Sequence, residues 1–175
     1  MKKSLTCSLT ALLVLAAAAA VSQSAEWKQY VYPNDGFAIS APAKPQAQDQ
    51  STDTAAGRLQ SHTYAIELGG DSGFMVSVTD FGKGPNINAK AMLQAARDGS
   101  LKSTNSKLIS EKEISLEGNP GLEFDFEAPA HHGRARYYIF QGRLLTLMSI
   151  APAGKPLSLD TARIFNSLRF LKIQG

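Results

Sequence analysis

The chain has 175 residues, 43% of them hydrophobic, with 18 basic and 15 acidic side chains and a formal net charge of +3. That length is enough for one domain with a sizeable core, and a charge this small gives no support to nucleic-acid binding. The only cysteine, Cys7, precedes the segment expected to fold, so neither disulfides nor thiol chemistry are expected in the domain.

The first 25 residues have the pattern of a secretory signal peptide. Lys2 and Lys3 form a short basic start, an almost wholly apolar run covers residues 9–21, and small residues follow up to Ala25. The apolar run is too short to span a membrane comfortably, and no stop-transfer sequence follows it. Because Cys7 lies before the run rather than after it, we do not expect lipidation. The sequence therefore predicts a cleaved protein that is periplasmic or secreted.

Cleavage is expected after Ala25. Because Gln23, two residues before Ala25, is large for its position in a cleavage site, cleavage after Ser22 or Ser24 is the alternative. Removal of the leader leaves 150 residues and lowers the basic count from 18 to 16, so the mature chain is close to neutral. We therefore predict a signal peptide over residues 1–25, a single domain over residues 26–175, and no membrane span in the mature protein.

Five segments in the first half of the domain have either the composition or the apolar–polar alternation of β-strands. These segments are residues 27–32, 37–39, 46–53, 58–68 and 74–81. The third of them is polar except for Ala47, and polar side chains protect the exposed edge of a sheet. We therefore predict that it is an edge strand, joined to the fourth segment by a hairpin.

A helix is predicted after the fifth strand. Asn88 is a suitable N-cap, and Gly99 is suited to the position just past the last turn. Between them, Met92, Leu93 and Ala96 form one apolar stripe. We expect this stripe to pack against the sheet.

The second half of the chain predicts further strands and a second helix. The strands are residues 107–117, 122–128, 134–141, 143–151 and 170–173, with a turn at residues 118–121. Ser158 is the expected helix cap, and the helix's apolar stripe consists of Leu159, Ala162, Phe165 and Leu168. The fold class that follows is α+β, with a mostly antiparallel central sheet of seven or eight strands and two main helices that cover its faces.

Charge predicts how two of these strands pair. A four-residue loop at residues 129–132 places Glu127 opposite Arg134 and Asp125 opposite Arg136. Such cross-strand ion pairs contribute about 0.2–1 kcal/mol each. A register one residue longer would put an aromatic residue opposite an arginine, because a slip of one residue exchanges the two faces of a strand. We therefore predict the four-residue loop.

Two adjacent histidines, His131 and His132, are the candidate metal ligands. Neighbouring imidazoles can both bind a metal, but a site also needs further ligands, which His62 and either Asp125 or Glu127 supply only if the fold brings them near. The alternative is that both histidines are ordinary polar loop residues.

Arg134, Arg136, Tyr137 and Tyr138 are the candidate binding residues, because arginine and tyrosine are enriched where proteins meet partners. The alternative is that they belong to the core and scaffold. The neighbouring acidic residues are expected to be ion-paired with the arginines rather than catalytic. The mature chain has neither a Gly-x-Ser-x-Gly nucleophile motif nor a phosphate-binding loop, so no cofactor is predicted.

The order of elements resembles that of PsbP-like and DcrB-like exported domains. In those domains an aromatic turn and a Gly-Phe strand lead into a proline, as YPNDGFAISAP does here. The resemblance is carried by residues 32–42, 118–123, 136–138, 142–147 and 165–170. It implies an α/β/α sandwich around an antiparallel sheet. Members of this fold serve as photosystem subunits, as binders of a small GTPase in nuclear transport, and as envelope proteins of unknown role, without a shared catalytic residue set, so no functional residue is carried over.

The sequence thus favours an exported, non-catalytic accessory or binding protein of the cell envelope, with an envelope protein as its partner. One alternative is a metal-dependent or other small hydrolase whose active-site residues are scattered along the chain. Another is a carrier of a small apolar ligand. Perturbed carboxylates beside a histidine in one pocket would favour the hydrolase, an enclosed apolar cavity the carrier, and an open aromatic–arginine surface the binding protein.

Overall fold

The computed structural model describes residues 26–54, 57–81 and 88–172. The predicted leader, the end of the predicted terminal strand and most of the segment between the fifth strand and the first helix lie outside the described residues. The elements in chain order are β1 Lys28–Tyr32, β2 Phe37–Ala41, β3 Gln46–Thr54, β4 Gly57–Gly69, β5 Ser72–Asp80, α1 Ala89–Ser103, β6 Lys107–Leu116, β7 Asn119–Glu127, β8 His131–Phe140, β9 Arg143–Pro152, α2 Asp160–Asn166 and β10 Arg169–Phe170.

Seven antiparallel strands form the main sheet, in the order β3-β4-β5-β9-β8-β7-β6. The polar strand β3 lies at one edge, and its predicted hairpin with β4 is confirmed. A separate antiparallel sheet of three short strands has the order β1-β2-β10. The predicted α+β class and antiparallel sheet are confirmed, and the division into two sheets is a feature that the sequence pattern did not reveal.

One face of the main sheet, which we call the α2 face, is covered by α2 and the small sheet. The rings of Phe74 and Phe165 lie 5.7 Å apart across this interface, and Phe37 meets Tyr64 edge to face at 5.5 Å. Fully buried Phe37 belongs to a strand that both β1 and β10 pair with. This face therefore holds the larger of the two apolar cores.

The opposite face, the α1 face, is covered by α1 chiefly over β7 and β8. The second core lies there, formed by Leu93, Leu122, Phe124, Phe126, Ala135, Tyr137 and Leu144. The predicted cap is confirmed, because the Oδ1 atom of Asn88 accepts a hydrogen bond of 3.2 Å from the backbone N–H of Ala91. The predicted end at Gly99 is wrong. The helix continues to Ser103 because Leu101 packs against this core, which outweighs the roughly 1 kcal/mol that a helical glycine costs.

Two other local predictions need correction. The turn between β6 and β7 consists of Glu117 and Gly118 alone, both with positive φ (51° and 80°), so the predicted turn at residues 118–121 is too long. Ser158 accepts a 3.2 Å hydrogen bond from the N–H of Asp160, one residue before the assigned N-cap. Leu159 is 97% exposed and does not join the predicted stripe; the buried residues of α2 are Thr161, Ile164 and Phe165.

The predicted pairing of β7 with β8 is wrong by two residues. Asp125 lies opposite Arg134, Glu123 opposite Arg136, and Glu127 opposite His132. A shift of two keeps every side chain on the predicted face, which is why the charges still match although the partners differ. The connection is shorter than predicted, because the N–H of Ala128 already donates to the carbonyl oxygen of His131 at 2.7 Å.

Two glycines opposite aromatic rings fix this register. Gly133 pairs with Phe126, and a Cβ atom on Gly133 would lie 2.5 Å from that ring. Gly121 pairs with Tyr138 in the same way, with the same short distance to the ring. Each ring therefore covers a glycine across the strands, and any other register would place a side chain where the ring lies.

Candidate functional site

Arg134 and Arg136, two of the candidate binding residues, form ion pairs with acidic residues of β7. The guanidinium group of Arg134 donates two hydrogen bonds to the carboxylate of Asp125, at 2.7 and 3.1 Å. These hydrogen bonds hold the pKa of Asp125 below its usual range. Asp125 is therefore ionised at neutral pH and is not suited to act as a general acid.

Glu123 is the buried member of the same row. Burial alone would raise its pKa, but hydrogen bonds from Lys112 at 2.8 Å and Arg136 at 2.5 Å outweigh burial and lower it. Arg136 also donates to the Oδ1 atom of Asn166 at 3.0 Å and lies 5.2 Å from the centroid of the Phe165 ring. Arg136 thus connects the sheet to α2, which is a scaffold role.

The two candidate tyrosines are buried on opposite faces of β8. Tyr137 is 3% exposed on the α1 face, where its ring meets Phe124 edge to face at 5.1 Å. Tyr138 is 4% exposed on the α2 face, where it covers Gly121. Neither ring can contact a partner in this structure. Of the four predicted binding residues, only Arg134, with a side chain 43% exposed, offers a substantial surface.

The two histidines are not brought together. Successive residues of a strand point to opposite faces, so His131 lies on the α1 face near Phe126, whereas His132 lies on the α2 face. The Nε2 atom of His132 lies 2.6 Å from the carbonyl oxygen of Lys155. His62 lies on β4, with three strands between it and β7. Within the described ranges, no three His, Cys, Asp or Glu side chains are grouped so as to hold a metal ion.

A shallow concavity of about 530 Å³ does contain Asp125, Glu127, His132 and Arg134 together. This is the grouping of carboxylates and histidine that would favour a hydrolase. Here, however, Asp125 is paired with Arg134 rather than with the imidazole, and its pKa is lowered. Asp125 and Arg134 are thus arranged for ion pairing rather than for proton transfer.

A polar cluster that the sequence pattern did not predict connects the small sheet to the main one. The carboxylate of Asp35, in the turn between β1 and β2, is buried; one oxygen lies 2.7 Å from Nδ1 of His62, and the other accepts a hydrogen bond from the Tyr64 hydroxyl. Burial and this hydrogen bond both raise the pKa of Tyr64. The only signal in the sequence was a turn motif around Asp35, which says nothing about burial.

An aspartate that orients a histidine also occurs in catalytic sites, but such a site needs a nucleophile beside the imidazole. Ser61, next to His62 on β4, points to the other face and its hydroxyl lies 2.8 Å from that of Thr79. The cluster therefore has the geometry of a structural connection between the turn and β4.

The remaining feature is an open apolar groove on the α1 face, beyond the part that α1 covers. We call it the methionine groove. It has a volume of about 470 Å³, and its floor is formed by Ala65, Gly73, Met75, Met148 and Ile150. Met75 lies directly opposite Met148, and Gly73 opposite Ile150.

The rim of the methionine groove is polar. Lys44 precedes β3, Gln46 and Gln48 belong to it, and Glu67 belongs to β4; all four side chains are exposed. Met75 was not among the predicted site residues. Alternation along β5 was the signal that could have placed this residue on a second apolar surface.

No protein-family profile matches the chain, and no curated protein matches its sequence. Among solved structures, it is similar to the solution structure of cyanobacterial PsbP (CyanoP) from Synechocystis sp. PCC 6803. The TM-score is 0.56 at 12% sequence identity, and the match covers 89% of this chain and 98% of that chain. At this identity the likeness establishes the fold, and it confirms the predicted PsbP-like architecture. None of the helices in the described ranges is long and apolar enough to cross a membrane.

Proposed function

We propose that the protein is an exported, non-catalytic binding module of the cell envelope, and that it holds its partner in the methionine groove. The signal-peptide pattern of residues 1–25 supports export. The observation on which the binding role rests is the groove itself, a concave apolar surface left open beside a covered core.

Met75 and Met148 are suited to such a role. Methionine side chains are unbranched and polarizable, so they adapt to differently shaped partners. Both are only partly buried, although they lie in the middle strands of the sheet, where most apolar side chains are covered. A partner that covered them would remove apolar surface from water, the main driving force of association.

The two alternative functions, a hydrolase and a carrier of a small apolar ligand, have less support than a binding module. The hydrolase needs a carboxylate with a raised pKa beside a free histidine, whereas Asp125 and Glu123 both have lowered pKa values. The ligand carrier needs an enclosed cavity, whereas the methionine groove is open along the sheet. A protein partner is the occupant that an open groove fits best.

Photo-crosslinking in intact cells tests this proposal. The photoreactive amino acid p-benzoylphenylalanine is introduced at Gln48 on the groove rim and, as a matched control, at Ser115, another exposed strand residue at the opposite edge of the sheet. We expect a discrete protein adduct from position 48 and none from position 115. The adduct should disappear when Ala65→Trp fills the groove.

Adducts of equal yield from both positions, or an adduct from position 48 that survives Ala65→Trp, would contradict binding in the groove. Cleavage of the leader is followed in the same cells by mass spectrometry, so that loss of the adduct through failed export is recognised. Circular dichroism of the purified variant establishes that Ala65→Trp is folded.

A further inference from the structure

We infer that the occupant of the methionine groove is an extended protein segment that inserts a large apolar side chain beside the two methionines, into the depression above Ala65 and Gly73. This inference rests on the proposed function and specifies the class of partner. It is carried by the shape of the groove floor and by the chemistry of its rim.

The shape follows from two cross-strand rows on the α1 face. Gln46, Ala65, Met75 and Met148 lie opposite one another on four neighbouring strands. The next row consists of Glu67, Gly73 and Ile150. The small residues Ala65 and Gly73 therefore lie between larger ones, and the depression above them is a seat for one large side chain.

Gly73 keeps this seat open without being required by the fold. Its φ is not positive, and a Cβ atom there would meet only the carbonyl oxygen of Ile66 at 3.7 Å and a side-chain carbon of Ile150 at 3.8 Å. Both are ordinary contacts, in contrast to the 2.5 Å contacts that Gly121 and Gly133 would make. An alanine would therefore fit at Gly73 without strain, so the open space above this residue is not a requirement of packing or of backbone conformation.

The rim favours a peptide over a simple amphiphile. Gln46 and Gln48 each offer an amide donor and acceptor, Lys44 offers donors only, and Glu67 offers acceptors only. A peptide backbone presents both donors and acceptors to such a rim. A fatty acid presents one carboxylate, which leaves Glu67 without a favourable contact. Among the described residues, neither Lys44 nor Glu67 forms an ion pair, so both charges are available to a partner.

Selection of linear peptides from a phage-displayed library on the immobilised mature protein tests the inference. We expect the selected peptides to share one large apolar residue and to bind at least about tenfold more weakly to Ala65→Trp. Gly73→Ala, which adds a single methyl group without strain, should weaken the same peptides by a smaller factor. The Gly99→Ala protein is the matched control, because Gly99 has nothing within 4 Å of its Cβ position and lies away from the groove.

Two further variants change the charge of exposed rim residues, so their effect on peptide selection does not depend on repacking of the groove floor. Lys44→Glu gives the rim two acidic side chains, so selection on it should favour peptides with basic residues beside the apolar one. Glu67→Lys gives the rim two basic side chains and should favour acidic residues. Opposite shifts in the two selections are expected because the partner's flanking residues lie on the rim.

Several results would overturn the inference. Peptides that bind the parent and Ala65→Trp equally, or selections on the two charge variants that do not differ, would mean that the groove is not their site. Saturable binding of dodecanoate that Ala65→Trp abolishes, without any selected peptide, would assign the groove to an amphiphile. Self-association that the same variant abolishes would assign it to a second copy of the chain. In each case, a crosslinked adduct from position 48 that disappears with Ala65→Trp would still support binding in the groove, and only the inference that the partner is an extended peptide would be wrong.

Discussion

The register of β7 and β8 can be tested by comparing two coupling energies: that of Asp125 with Arg134, which the structure pairs, and that of Glu127 with Arg134, which the sequence predicted. We consider two double-mutant cycles, Asp125→Ala with Arg134→Ala, and Glu127→Ala with Arg134→Ala. In the structure the first pair is directly opposite and joined by two hydrogen bonds, whereas Glu127 is the diagonal neighbour of Arg134. The two cycles share one variant, so they differ only in the carboxylate removed.

The expected coupling energies follow from the distances. Unit charges about 4 Å apart in water attract by about 1 kcal/mol, and partly exposed pairs with good geometry reach about 0.5–1 kcal/mol. Diagonal neighbours are about 7–8 Å apart, where attraction of about 0.5 kcal/mol falls to about 0.2 kcal/mol after screening at physiological salt. We therefore expect a coupling of about 0.5–1 kcal/mol for Asp125 and about 0.2 kcal/mol for Glu127.

Urea denaturation of the single and double variants at pH 7 gives both coupling energies. The Asp125 coupling should also depend on pH. Because the pKa of Asp125 is lower in the folded state, its stabilisation is fully present above the unfolded value of about 4 and is lost as the pH falls through the folded value. A Glu127 coupling equal to or larger than that of Asp125 would refute the observed register and favour the longer loop.

Three further predictions concern packing, the histidines and export. Gly133→Ala should destabilise the fold by about 1–3 kcal/mol, because its new methyl group would overlap an aromatic ring and a backbone carbonyl, whereas the exposed helical Gly99→Ala should stabilise it slightly in the same urea assay. Replacement of both His131 and His132 by alanine should destabilise the fold by about 0.5–1.5 kcal/mol through loss of the His132 hydrogen bond to the Lys155 carbonyl, and Zn²⁺ should raise the melting temperature no more in the parent than in the variant; a metal-dependent rise confined to the parent would establish a metal site. Mass spectrometry of the exported protein should find it without residues 1–25, or shorter by 22 or 24 residues; an intact chain confined to the cytoplasm would exclude export.

The parts of the fold that could be predicted depend on local sequence. The polar edge strand β3 and the cap at Asn88 were correct because each is encoded within a few neighbouring residues. The β7–β8 register was missed because it depends on Gly133 packing under Phe126, a contact between different strands. Charge patterning gave the correct face for each side chain but could not distinguish registers that differ by two residues.

The candidate site could not be predicted for the same reason. The floor of the methionine groove is assembled from β4, β5 and β9, and no segment of the sequence contains more than two of its residues. The cluster of Asp35, His62 and Tyr64 joins a turn to a strand of another sheet. Tyr137 and Tyr138 matched the composition of interfaces, but alternation along β8 and coverage on both faces bury them.

Methionine methyl NMR tests the binding role of the groove most directly. Of the four methionines, Met1 lies in the predicted leader, so the mature chain has two in the groove, Met75 and Met148, and one on α1, Met92, as an internal control. The protein without the predicted leader, labelled with ¹³C at its methionine methyl groups, is mixed with an unlabelled soluble extract of the cells that produce it. We predict that the Met75 and Met148 signals shift or broaden while the Met92 signal stays unchanged. Three unchanged signals, or a change confined to Met92, would contradict the proposal that the groove is the binding site.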